Sequence, residues 1–128
     1  MPDTHKIMYV EDEPDIQTIA RIALEQIGGF DLLVCSSGQA ALDQVSDFAP
    51  DIILLDVMMP EIDGIETFRH LKTLPACADV PVVFMTARVQ THEIKEYIDL
   101  GAVDVIAKPF SPITLAEQVK TIIQNVGR

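Results

Sequence analysis

Apolar residues along this chain fall into two alternating kinds of run. Short, nearly unbroken stretches end on polar groups: Met8-Tyr9-Val10 on Glu11-Asp12, Ile52-Ile53-Leu54-Leu55 on Asp56, Val82-Val83-Phe84-Met85 on Thr86, and Val103-Asp104-Val105-Ile106-Ala107 on Lys108. Apolar runs of this length, divided by helix-length segments, read as buried parallel strands. The pattern predicts strands over about 6–10, 31–35, 51–55, 82–85 and 103–107. Between them, apolar residues recur at helical spacing. Pro14 suits a first helical turn, Ile16, Ile19, Ala20, Ala23, Leu24 and Ile27 form one face, and Gly28-Gly29 ends the helix. Further helices are expected over about 39–48, stopped by Pro50, over 64–72 after a loop at 57–63, over 90–100 closed by Gly101, and from Ser111-Pro112 onward, where Leu115, Val119, Ile122, Ile123 and Val126 form the buried stripe.

Five strand–helix units in 128 residues imply one domain with a parallel sheet covered by helices on both faces. Right-handed crossovers make a doubly wound α/β arrangement the natural topology. In such sheets function gathers at the carboxyl ends of the strands. The carboxylates, the hydroxyl and the ammonium should then meet on one edge despite their separation in sequence.

Composition narrows the partners. With 48% hydrophobic residues the chain can bury a core without staples. Cys35 and Cys77 form no spacing motif and read as reduced thiols. No run is long enough to span a bilayer, and the first residues carry no secretory signal, so a cytoplasmic protein is expected. A formal net charge of -11 and a pI near 4.4 argue against direct contact with nucleic acid or anionic membrane, and favour a hard divalent cation in an acidic pocket.

If the first and third strands are neighbours, Glu11, Asp12 and Asp56 share one crevice. Crowded carboxylates raise one another's pKa or require a cation, and Mg²⁺ fits an all-oxygen site best. Lys108 stands at the end of the fifth strand, where a Lys–carboxylate pair is the economical reading.

The motifs Val10-Glu11-Asp12-Glu13-Pro14, Asp56-Val57-Met58-Met59-Pro60 with Asp63-Gly64, Met85-Thr86-Ala87 and Lys108-Pro109-Phe110 resemble those of the receiver domain of two-component response regulators, of the chemotaxis-regulator type. Intervals of 44, 30 and 22 residues separate Asp12, Asp56, Thr86 and Lys108, and the resemblance covers nearly the whole chain, 1–128. It implies a flavodoxin-like fold with strand order 2-1-3-4-5 and five helices. It implies that Asp56 accepts a phosphoryl group from the phosphohistidine of a sensor kinase or phosphotransfer protein. Glu11, Asp12, Asp56 and the backbone carbonyl of Met58 would hold Mg²⁺. Thr86 and Lys108 would bind the phosphoryl oxygens, and Lys108-Pro109 would be a cis peptide. The chain would be no enzyme beyond its own phosphorylation and dephosphorylation, and would act on an output protein, with phosphorylation-dependent dimerisation open.

Four positions depart from or modulate that pattern. Val105 stands where the family carries an aromatic ring that swings inward, and Glu11 where an aspartate is commoner. Met58 and Arg88, two residues after Asp56 and Thr86, occupy positions that govern hydrolysis of the acyl phosphate; their bulk and charge suggest a shielded, longer-lived product. Helix one is the expected docking face for the kinase. Tyr97, Ile98 or Phe110 could serve a partner, with core packing the first expectation for Ile98. A flavodoxin-like mononucleotide binder is disfavoured because Glu11-Asp12-Glu13-Pro14 replaces a phosphate-cradling loop. An aspartate-nucleophile phosphatase is disfavoured because Val57-Met58 follows Asp56. A receiver that binds partners without phosphorylation is fed only by Val105.

Overall fold

The computed structural model describes residues 5–58 and 63–126, so the N-terminal Met1–Thr4, the motif residues Met59 and Pro60, most of the expected 57–63 loop and the side chain of Val126 lie outside the described residues. The elements run β1 (Lys6–Val10), α1 (Pro14–Arg21) continuing as a π-helical segment (Ile22–Ile27), β2 (Asp31–Cys35), α2 (Gly38–Phe48), β3 (Ile52–Asp56), α3 (Gly64–Thr73), a 3₁₀ turn (Pro75–Cys77), β4 (Val82–Thr86), α4 (Thr91–Leu100), β5 (Asp104–Ala107) and α5 (Pro112–Val126). All strand pairs are parallel, in the order β2-β1-β3-β4-β5. This is the expected flavodoxin-like α/β sheet.

The period of two along each strand divides the core into two layers. Met8, Val10, Ile53, Leu55 and Phe84 face Ala41, Val45, Phe68, Leu71 and Tyr97 of α2, α3 and α4. Ile7, Tyr9, Ile52, Leu54, Val83 and Met85 face Ala20, Ala23 and Leu24, together with Leu115, Val119 and Ile122 of α5. Every residue of β3 and β4 is buried, which is why those runs are unbroken rather than alternating.

Local chemistry sets the helix starts. The Ser37 hydroxyl accepts from the Ala40 amide at 3.0 Å, and the Asp63 carboxylate accepts from the Glu66 amide at 2.8 Å. Ser111 Oγ accepts from the Thr114 amide at 3.2 Å. Gly101 closes α4 with φ +126°, a backbone conformation side chains disfavour.

Four details differ from the sequence pattern. The C-terminal part of the first helix winds wider, with the Gly28 amide donating to the Ala23 carbonyl five residues back. The wider turn carries Ile27 off the buried face, leaving it 44% exposed. Strand β5 begins at Asp104, and Val103 is exposed. Ile98, expected in the core, is exposed on α4, because its neighbour Tyr97 takes the inward position. The Tyr97 ring packs edge-on against Phe84 at 5.5 Å, and Phe84 meets Phe68 in the same way at 5.3 Å. Tyr97 is therefore a core residue, not a partner-facing one.

Candidate functional site

Glu11 leaves β1, Asp56 ends β3, Thr86 ends β4 and Lys108 follows β5, so parallel pairing brings residues from the whole chain to one sheet edge. Carboxylate oxygens of Glu11, Asp12 and Asp56 lie within 4.8 Å of one another. Lys108 Nζ donates to Glu11 Oε1 at 3.0 Å and lies 3.3 Å from Asp56 Oδ1. Lys108 also donates its backbone amide to the Thr86 carbonyl at 3.0 Å, which ties the ends of β4 and β5 together. The Lys108-Pro109 peptide is cis, as the resemblance implied.

The two buried acids are held differently. Glu11, fully buried, accepts from the Tyr9 hydroxyl at 3.2 Å as well as from Lys108 through Oε1, while its Oε2 accepts from the Glu13 amide at 3.3 Å. Asp56 Oδ1 accepts from the Met58 amide at 3.2 Å, whereas Asp56 Oδ2 is buried with no hydrogen-bond partner among the described residues. Burial raises the Glu11 carboxyl above the usual carboxylate range; the hydrogen bond from Lys108 opposes that and the charge of Asp56 adds to it. For Lys108, burial works against the charged form, but the hydrogen bond and charge of Glu11 and the charge of Asp56 outweigh it and hold the ammonium above its ordinary value. An unpartnered buried oxygen beside two further carboxylates is a donor set suited to a hard, oxygen-seeking cation, so the residues fit Mg²⁺.

The remaining expected residues fall around this centre. Thr86 Oγ1 is buried and accepts from the Arg88 amide at 2.9 Å. The Arg88 guanidinium reaches Glu93 at 3.7 Å. The Met58 side chain is 64% exposed. Val105 is partly buried against the α2–α4 layer, opposite Phe84 in the β4–β5 register.

Sequence reasoning missed two supports. Tyr9 reads as part of an apolar run, although its spacing of two from Glu11 puts both on one face of the strand. Gly64 belongs to a motif that carries no local reason for a glycine. A Cβ there would stand 2.1 Å from the Asp56 carbonyl oxygen and 2.6 Å from Val57 Cα, so only glycine fits where α3 meets the end of β3. Its amide donates to the Val57 carbonyl at 3.0 Å.

The fold and this edge define a class that the comparisons identify. The family model of the response regulator receiver domain matches residues 7–120, and the chain belongs to that family: it is a receiver of two-component signalling, a signalling module. The phosphate regulon transcriptional regulatory protein PhoB of Escherichia coli (strain K12) is 36% identical over 122 residues, 95% of this chain and 53% of PhoB. The chain thus spans about half the length of the curated relatives it matches. The signal receiver domain of a signal transduction histidine kinase from Syntrophus aciditrophicus aligns with a TM-score of 0.82 at 32% identity, over 98% of this chain and 94% of that one. The receiver domain of sensor histidine kinase PA1611 from Pseudomonas aeruginosa PAO1, whose active-site cleft coordinates a magnesium ion, gives a TM-score of 0.82 at 25% identity, over 98% of this chain and 100% of that one. Receivers work with kinases, and the mononucleotide-binding and phosphatase readings find no support in this company. No helix among the described residues is long and apolar enough to cross a membrane.

Proposed function

We propose that Asp56 is the phosphoacceptor and that the edge formed by Glu11, Asp12, Thr86 and Lys108 makes its carboxylate reactive. The observation that carries this reading is the unequal treatment of the two Asp56 oxygens: Oδ1 is engaged by Lys108 and the Met58 amide, and Oδ2 is left free inside the acidic cluster.

A carboxylate and an anionic phosphoryl group repel, so the site must cancel charge before it can bring them together. Glu11, Asp12, Asp56 and the Met58 carbonyl would hold Mg²⁺, which when bound supplies positive charge to the phosphoryl oxygens. One carboxylate oxygen of Asp56 attacks phosphorus, its O–P bond forms and the P–N bond of the donor phosphohistidine breaks. The bonding pair stays on the leaving imidazole nitrogen, which takes up a proton. The Lys108 ammonium, already beside Oδ1, neutralises charge on the transferred group. The product, an aspartyl phosphate, adds about 1.5 to 2 negative charges and three acceptor oxygens. Thr86 Oγ1 can donate to one of them and still accept from the Arg88 amide, since a hydroxyl does both.

The same residues would support the chain's own dephosphorylation by water, with Met58 and Arg88 setting its pace. Output runs through protein contacts: the charge of -11 opposes direct nucleic-acid binding by this domain, whatever segments accompany it in longer relatives. The cytoplasm is the compartment where a kinase partner would meet it. Intact-mass measurement after acetyl phosphate with Mg²⁺ tests the assignment. A gain of roughly 80 Da, one phosphoryl group, that is lost in Asp56→Asn supports it. Absence of the gain in the parent chain, or its persistence in the variant, overturns it.

A further inference from the structure

We propose that Tyr9 is a positioning residue for this site: its buried hydroxyl braces the long Glu11 side chain, which in turn seats Lys108 against Asp56. The inference rests on the acceptor role of Asp56 and adds a residue to it that no motif contains.

Tyr9 lies in the β1 face that packs on α1 and α5, among Ile7, Leu24, Leu54 and Met85. Nothing in those neighbours needs a hydroxyl, and phenylalanine would fill the same space. Among the described residues the hydroxyl has one partner, Glu11 Oε1 at 3.2 Å, the same oxygen that takes Lys108 Nζ at 3.0 Å. Both Tyr9 and Glu11 are fully buried. A phenol hydroxyl is a donor at neutral pH, and the carboxylate oxygen beside it accepts.

Glu11 needs such a brace because of its length. Glutamate has one more rotatable bond than aspartate, and each added rotor spreads the carboxylate over more positions. Three donors fix it here: the Tyr9 hydroxyl, the Lys108 ammonium and the Glu13 amide. Without the first, Oε1 can turn on the ammonium alone, and Lys108 loses the fixed point that sets its distance to Asp56. Small errors of placement at a reacting centre are costly in rate.

The experiment uses the full chain with acetyl phosphate and Mg²⁺, following the rate of adduct formation by mass. Tyr9→Phe is expected to react about tenfold more slowly, the rate equivalent of about 1.4 kcal/mol. In a Glu11→Asp background, whose shorter side chain stops short of the phenol, the same substitution is expected to cause no further slowing. Slowing by the same factor in both backgrounds, as a general packing defect would give, or no slowing in either, overturns the proposal. Acylation of Lys108 by an amine-reactive ester gives a second readout that needs no phosphorylation: faster labelling in Tyr9→Phe supports the brace, and an unchanged rate overturns it. A parent chain that gains no phosphoryl mass defeats the acceptor assignment, and the labelling result then decides the brace alone.

Discussion

Lys108 and Glu11 are 97 residues apart in sequence, yet the ammonium of one sits 3.0 Å from the carboxylate of the other. The contact crosses two strands. Lys108 follows β5, whose neighbour in the sheet is β4, and its side chain passes over the ends of β4 and β3 to reach the end of β1. On the way it meets Asp56, so one cation links two buried anions.

Removing that cation leaves two acids close together in a low-dielectric edge. Lys108→Met is expected to cost about 3 kcal/mol at about pH 8. The loss should shrink toward about pH 5, because burial already raises the Glu11 carboxyl and the variant lacks the lysine that opposes it, so the folded state binds a proton more readily than the unfolded state as pH falls. Urea unfolding at the two pH values checks this; a loss of equal size at both contradicts it.

A divalent cation that binds only the folded cluster should stabilise it by mass action. Millimolar Mg²⁺ is expected to raise the melting temperature of the parent chain and to do so far less in Asp12→Asn. Asp12 is the partly exposed member of the cluster, so its removal leaves the core intact. Calorimetric scans with and without the cation make the comparison.

Gly64→Ala should disturb the acceptor directly, since the added methyl collides with the Asp56–Val57 backbone rather than with a flexible side chain. Destabilisation of about 3 kcal/mol is expected from overpacking, together with slower phosphorylation. A variant of normal stability and rate, read by urea unfolding and by mass, would show that α3 can slide away freely.

The thiols should be inert in the folded chain. Both are buried, burial pushes Cys35 up to about 11, and it raises Cys77 as well. At about pH 8, near the ordinary thiol value, few thiolates form. Iodoacetamide is expected to label neither cysteine without denaturant and both with it. Because the folded Cys35 thiol keeps its proton longer than the unfolded one, stability falls as pH rises from the ordinary thiol value through about 11.

Much of this was legible in the chain because parallel strands announce themselves as unbroken apolar runs and their ends carry the chemistry. The strands, helices beginning near 39 and 64, and the gathering of Glu11, Asp12, Asp56 and Lys108 at one edge followed from that, while the strand order came with the resemblance to receiver domains. What escaped depended on winding and close approach. A repeat of 3.6 residues places Ile27 inward, but the π-helical turn preceding it does not keep that repeat. Tyr97 and Ile98 are adjacent, and only the aromatic contact with Phe84 decides which one is buried. The reason for Gly64 is a distance to backbone atoms seven and eight positions earlier, which no local pattern encodes.

The glycine contact has a corollary for variation in the family. Where Gly64 donates to the Val57 carbonyl, the chain is fastened at both ends of the stretch between them, like a clasp. Lengthening that stretch only enlarges a loop with anchored feet, and each doubling of such a loop costs only about 0.6 kcal/mol. A change of length between the two anchors therefore leaves the carboxylate of Asp56 where its strand holds it.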